Sequence, residues 1–344
     1  MEVLIDCYFD KLFAEMERSC LASRYKRREL VSYFSDVINS VAEAENLEKQ
    51  DVCERIVLSA LRYHNITMME NGSVCLLGKF HNVLYVAAKL CYDWSLSNNE
   101  IVTRLLDDIF YCEKTFERIF VGAIFGTRVT HFLSGWKSDF EDREENIKAL
   151  VYFMDHAVIG RLEYRCASSV MKRRFIDVPM ESYGQVLPLK VAIQHGRPDI
   201  LLIMLRYGAS AESDALAPSP LEILLNRLNE FEAQPGKDRI DYPEALLDCL
   251  RFLLRTIPSA VVRTPPHVAL QSGVFSLPLY EQYPNLVAQN LIPADRSGIR
   301  PPELQHLCRC KIRDILFKNW RLPAGIQTLP IPPSLKEYLD IMYD

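Results

Sequence analysis

Apolar residues recur at spacings of three and four along most of the chain, and that spacing predicts helices. Leu4, Ile5, Tyr8, Leu12, Phe13 and Met16 form one series. Leu30, Val31, Phe34, Val37, Ile38 and Val41 form a second, and Ile56, Val57, Ala60 and Leu61 a third. A turn at Glu70-Asn71-Gly72-Ser73 precedes a strongly apolar helix around residues 83–94. Ser97-Asn98-Asn99-Glu100 has the form of a helix start, with Ile101, Leu105, Ile109 and Phe110 following on one face. Gly126 and Ser134-Gly135 punctuate the next stretch. The charged residues 137–148 read as a solvated turn leading into another amphipathic helix through Ile147, Leu150, Val151 and Met154. No segment alternates with period two strongly enough to predict a strand. An all-α fold is expected, with a helical N-terminal region over residues 1–140.

The middle of the chain, 141–300, is built differently. Leu187-Pro188-Leu189-Lys190-Val191-Ala192 is followed by Gly196, an apolar run from Ile200 to Leu205, and Tyr207-Gly208-Ala209. Pro188 suits the first turn of a helix, where its missing N–H costs nothing. Gly196 allows a tight turn into a second helix, and Gly208 ends that helix in a left-handed conformation. The pattern resembles an ankyrin repeat, with Leu187 in place of the usual Thr and Lys190 in place of His. An echo begins at Ser219-Pro220-Leu221-Glu222, close to the repeat's period of about 33 residues, with a polar insert at 229–242. Thr264-Pro265-Pro266-His267-Val268-Ala269 suggests a third copy. The resemblance therefore implies a degenerate ankyrin-repeat solenoid, with repeats at 184–216, 217–258 and 262–293.

The last segment, 301–344, holds a more specific pattern. Leu304, Leu307, Cys308, Ile312, Ile315 and Leu316 lie at helical spacing and make one apolar stripe. Gln305, Arg309, Arg313 and Asp314 lie elsewhere. Such a short helix must bury its stripe against something. Leu329-Pro330-Ile331-Pro332-Pro333-Ser334-Leu335-Lys336-Glu337-Tyr338-Leu339 then combines a proline-stiffened extended piece with a short helix. The two strings together resemble a three-helix SOCS box, and with the repeats the chain resembles the ankyrin-repeat and SOCS-box family. That resemblance implies a helix-in-groove contact with elongin C of the elongin B/C heterodimer through Leu304, Leu307, Cys308, Ile312, Ile315 and Leu316. It implies a cullin-5 contact through Leu329, Pro330, Ile331, Pro332, Leu335, Tyr338 and Leu339, with a RING subunit carried by the cullin. Glu303 stands where Ser, Thr or Pro is usual, so weak capping of the first helix is expected.

The implied function is that of an adaptor. It would hold a protein substrate through the repeats and the N-terminal region while a ubiquitin ligase acts on it, contributing no catalytic group itself. The other reading is a signalling scaffold that uses the box without degrading its partner. Composition excludes several classes. Among 344 residues there are only 13 glycines, too few for a phosphate-cradling loop to be expected. The net charge of −5 provides no field for nucleic acid or an anionic membrane, and no apolar run is long enough to span a bilayer. The run Arg24-Tyr25-Lys26-Arg27-Arg28 reads as a solvated helix face. The N-terminus lacks the form of a signal peptide. Ten scattered cysteines read as free thiols in a reducing compartment, so an intracellular protein, cytoplasmic or nuclear, is expected. None carries a nucleophile signature. Positions two apart on a helix point about 200° from each other, which turns Cys308 away from His306 and Cys310, and no fourth ligand lies nearby in sequence, so no metal or cofactor is expected there.

Overall fold

In the computed structural model the described residues are 7–8, 11–12, 23–75, 80–134, 138–167, 171–211, 218–232, 242–258, 260–263 and 276–344. Fifteen α-helices and two short antiparallel hairpins are found among them. The chain divides into two compact units, residues 1–185 and 186–344.

The N-terminal unit holds α1 (Arg24–Glu45), α2 (Lys49–Glu70), α3 (Val83–Asp93), α4 (Asn99–Glu113), α5 (Glu117–Ser134) and α6 (Arg143–Ile159). The apolar spacing puts Phe34 and Ile38 of α1, Val52 and Ile56 of α2, and Leu105 and Ile109 of α4 into one interior. α3 is buried over nearly its whole length and packs against α1, α2 and α4. The expected start of α4 is present: Asn98 caps it, its side chain accepting from the backbone N–H groups of Glu100 and Ile101. Gly126 adopts φ +74° and interrupts α5, which is the punctuation the sequence suggested. The series from Leu4 to Met16 falls mostly outside the described residues.

Two findings depart from the sequence reading. Residues 141–185 pack with the N-terminal helices instead of with the repeats. α6 lies against α4 and α5, and a hairpin of β1 (Glu163–Arg165) and β2 (Lys172–Arg174) follows it. Tyr164 of that hairpin closes an aromatic group with Phe110 and Phe116, at centroid distances of 4.3 and 5.1 Å. The basic run of α1 is only partly a solvated face: Tyr25 is exposed, but Arg27 is not. Arg27 is fully buried and its Nε donates to both carboxylate oxygens of Asp139, at 2.9 and 2.8 Å. Arg24 and Arg28 donate to the carbonyls of Phe140 and Asp139. A buried guanidinium needs such partners, and the charged segment before α6 supplies them.

The second unit contains two stacked helix pairs: α7 (Pro188–Gln194) with α8 (Pro198–Arg206), and α9 (Pro220–Glu232) with α10 (Glu244–Leu254). First helix packs on first helix and second on second. Pro188 opens α7, and Gly196 and Gly208 take φ +58° and +84° at the two expected turns. β3 (Val261–Arg263) pairs with β4 (Ser276–Pro278), followed by α11 (Leu279–Gln282) and α12 (Pro284–Ala288). The motif of the third suggested repeat lies outside the described residues, as does most of the 229–242 insert. The C-terminal segment forms three helices, α13 (Leu304–Lys318), α14 (Ala324–Gln327) and α15 (Pro333–Leu339), and belongs to this same unit.

Candidate functional site

α13 begins after Pro301 and Pro302, at Glu303, whose side chain makes no capping hydrogen bond. Its two faces are inverted relative to an ordinary amphipathic helix. The buried residues are His306, Arg309, Arg313 and Leu316. The apolar stripe points to solvent: Leu304 is 76% exposed, Leu307 38% and Ile315 48%, and Cys308 is exposed as well. Ile312 is half-buried at the edge of the interior. The Leu-x-x-x-Cys pattern therefore has no partner within the described residues.

The buried polar side chains of α13 find most of their partners in backbone carbonyls, although Arg309 Nε is buried without one. Arg313 donates to the carbonyl of Leu339 at 2.9 Å and to that of Leu205, at the end of α8, at 2.5 Å. Arg309 donates to the Tyr343 carbonyl at 3.1 Å, and its guanidinium lies 4.2 Å from the centre of the Tyr338 ring. His306 Nε2 donates to the Ile257 carbonyl at 2.8 Å while its Nδ1 accepts from Arg309 at 3.0 Å. That arrangement requires a neutral imidazole. Its pKa is lowered, chiefly by burial and further by the charges of Arg296 and Arg309, while the bond to the Ile257 carbonyl works in the other direction. Burial likewise lowers the Arg313 guanidinium to about 10, still charged at neutral pH. Arg206 of α8 grips Asp340 with two bonds, at 3.0 and 2.6 Å, and Arg255 donates to the carbonyls of Ile341 and Met342.

Leu316, Leu322, Ile326 and Leu339 form the interior of the three-helix segment, with Ile312, Phe317, Leu329 and Ile331 packed around it. Leu316, Tyr338 and Leu339, which the sequence reading assigned to partner contact, are thus interior residues, with Tyr338 6% and Leu339 4% exposed. Their spacing serves the fold of the segment. Of the proline string, Pro330, Pro332 and Leu335 are exposed, whereas Leu329 and Ile331 are half-buried. Pro333 opens α15 at a position where no N–H is needed. The buried His306-Arg309-Arg313 face also has helical spacing, and the apolar stripe alone does not reveal that this polar face is the buried one.

His306 and Cys310, four residues apart, share one side of α13, with Cys310 Sγ 3.5 Å from His306 Nε2, while Cys308 is exposed on the other. Among the described residues, the grouping of side chains able to hold a metal ion is His64, Cys75, His81 and Cys112, in the N-terminal unit. No described helix is long and apolar enough to cross a membrane.

Residues 300–340 match the family model of the SOCS box. The chain is similar to ankyrin repeat and SOCS box protein 17 from several mammals. It is 28% identical to the Mus musculus protein over 180 residues, which cover 51% of this chain and 57% of that protein. It is 28% identical to the Bos taurus protein over 159 residues, covering 45% and 50%, and 27% identical to the Homo sapiens protein over 180 residues, covering 51% and 57%. The chain spans about half the length of the curated relatives it matches. No solved structure matches it. The C-terminal segment carries a SOCS box, and the chain resembles ankyrin-repeat and SOCS-box proteins over about half of its length.

Proposed function

We propose that this chain is a substrate-recognition adaptor that joins a bound target protein to an elongin B/C, cullin-5 and RING ubiquitin ligase. The observation that carries the reading is the outward-facing stripe of α13. A helix that exposes Leu304, Leu307, Cys308 and Ile315 while burying two arginines is arranged for a partner, because leaving that much apolar surface in water is unfavourable. Fully burying a leucine stabilises by roughly 1.5–3 kcal/mol, so the Leu304 and Leu307 anchors are sufficient to dominate a helix-in-groove contact. The exposed Pro330, Pro332 and Leu335 form the second surface, for the cullin. Two prolines already hold that segment extended, so little conformational entropy remains to be lost on binding.

In this reading the helix pairs of the second unit and the N-terminal helices hold the target. Ubiquitin transfer gains from proximity supplied by assembly, with the chemistry carried by other subunits.

Capture from cells tests the proposal. Leu304→Asp with Cys308→Asp is expected to abolish elongin C retention while leaving the melting temperature unchanged, since both side chains are exposed. Pro330→Ala, Pro332→Ala and Leu335→Ser together are expected to retain elongin and lose cullin-5. Elongin C retained by the folded Leu304/Cys308 variant would sink the reading. A partner whose ubiquitination and half-life are unaffected by the cullin-surface variant would favour the non-degradative scaffold instead.

A further inference from the structure

Four side chains from four places in the N-terminal unit converge on one point. His64 comes from the third quarter of α2, Cys75 from the segment after it, His81 from a 3-10 turn at Phe80–Asn82, and Cys112 from the end of α4. Their ligand atoms all lie within 4.8 Å of one another. His64 Nε2 is 3.4 Å from Cys75 Sγ and 3.5 Å from Cys112 Sγ. A tetrahedral zinc with Zn–S of about 2.3 Å and Zn–N of about 2.0–2.1 Å has sulfur–nitrogen edges of about 3.6 Å. The two separations from His64 to the sulfurs match those edges.

The surroundings have the features of a ligand shell. His81 is completely buried, and its Nε2 lies 2.6 Å from Glu113 Oε1. Glu113 is itself fixed by the Tyr85 hydroxyl at 2.8 Å and by Arg118 Nε at 3.1 Å. A carboxylate on one ring nitrogen orients a histidine and raises the basicity of the other. That other atom, His81 Nδ1, is buried without any hydrogen-bond partner, which is costly unless something else meets it. Cys75 and Cys112 are free thiols, both partly buried. An open cavity of about 200 Å³, lined by His64, Met68, Asn71, Val74 and Cys75, adjoins the cluster and offers a path of entry.

We propose that His64, Cys75, His81 and Cys112 form a structural zinc site, with His64 Nε2, His81 Nδ1 and the two thiolates as its ligands. Two sulfurs and two nitrogens in a tetrahedral set suit zinc, and four protein ligands leave no open position for catalysis. Binding replaces the two thiol protons by the metal, so two protons leave to solvent. The ion would tie the segment between α2 and α3 to both α2 and α4. This site is separate from the docking helix and stands or falls without it.

Elemental analysis of the full chain, purified without chelator, is expected to find about one zinc per chain. Cobalt added to the apo chain is expected to produce the visible absorption of tetrahedral, thiolate-ligated cobalt. Cys75→Ser and Cys112→Ser are expected to lose the metal, and Cys310→Ser to keep it. Chelation is expected to lower the melting temperature of the wild-type chain by several degrees. The inference is overturned if the wild-type chain holds no stoichiometric zinc and gives no such cobalt spectrum. It is also overturned if mass spectrometry under non-reducing conditions finds Cys75 joined to Cys112. The wild-type cobalt measurement decides the matter even where a variant fails to fold.

Discussion

The guanidinium of Arg309 stacks on the ring of Tyr338, 4.2 Å from its centre, and both side chains are buried. This contact joins the first and last helices of the SOCS box. Arg309→Ala would remove the stack and the bonds to His306 and the Tyr343 carbonyl together. Loss of one member of a buried polar network predicts destabilisation of about 2–4 kcal/mol, measured by chemical unfolding. Arg309→Lys is expected to recover little of it, because an ammonium cannot reproduce the planar stack and fork.

Residues on the two sides of α13 are expected to separate stability from binding. Leu316→Ala opens a cavity among Leu322, Ile326 and Leu339, and should cost about 2–5 kcal/mol. Leu304→Ala should stay within about 0.5 kcal/mol of wild type, because that side chain is 76% exposed. Thermal unfolding and elongin capture on the same two variants check the split.

Gly208 joins the repeat to the box. Its φ is +84°, and a Cβ placed there would lie 2.4 Å from Cδ2 of Phe317. Gly208→Ala is therefore expected to destabilise by about 2 kcal/mol or more, from backbone strain and the clash together. Phe317→Leu should relieve the clash and leave the backbone part. A double-mutant cycle would show a coupling of about 0.5–3 kcal/mol.

The pH dependence follows from His306. Its folded-state pKa is lowered, first by burial, so between that value and about 6.5 the unfolded chain takes up a proton that the folded chain refuses. Stability is full above about pH 6.5 and falls as the solution is acidified through that window. Protonation would also put a positive Nδ1 against Arg309. The melting temperature at pH 5.5 is expected to lie below that at pH 7.5, by about 2–4 °C for each kcal/mol lost. His306→Gln should flatten part of the slope, with His156 and His195, both also lowered by burial, supplying the rest.

Arg27 and Asp139 make the corresponding prediction for the N-terminal unit. Asp139→Asn leaves a buried guanidinium without its counter-charge and should cost about 3–5 kcal/mol. Replacing both residues by apolar ones of similar volume should cost clearly less, read by denaturant midpoints at constant m-value.

Helix content, the Asn98 cap, the left-handed turns at Gly196 and Gly208 and the stripe of α13 were legible in the sequence. Each is local: periodicity, capping and glycine's conformational freedom act within a few residues. Which of two helical stripes is buried is not local. Arg309 and Arg313 look like surface residues until the carbonyls of Leu205, Leu339 and Tyr343 meet them, and those come from distant parts of the chain. Asp139 does the same for Arg27, and the convergence of His64, Cys75, His81 and Cys112 has no motif spacing to announce it. The sequence by itself determined an all-α chain with the string of a SOCS box at its C-terminal end. Only the tertiary structure decided that the string faces outward, that Leu316, Tyr338 and Leu339 hold it up from within, and that four scattered side chains share one point. The physical reason is that desolvating a charge or gathering ligands depends on partners far apart in sequence, and no local pattern encodes those partners.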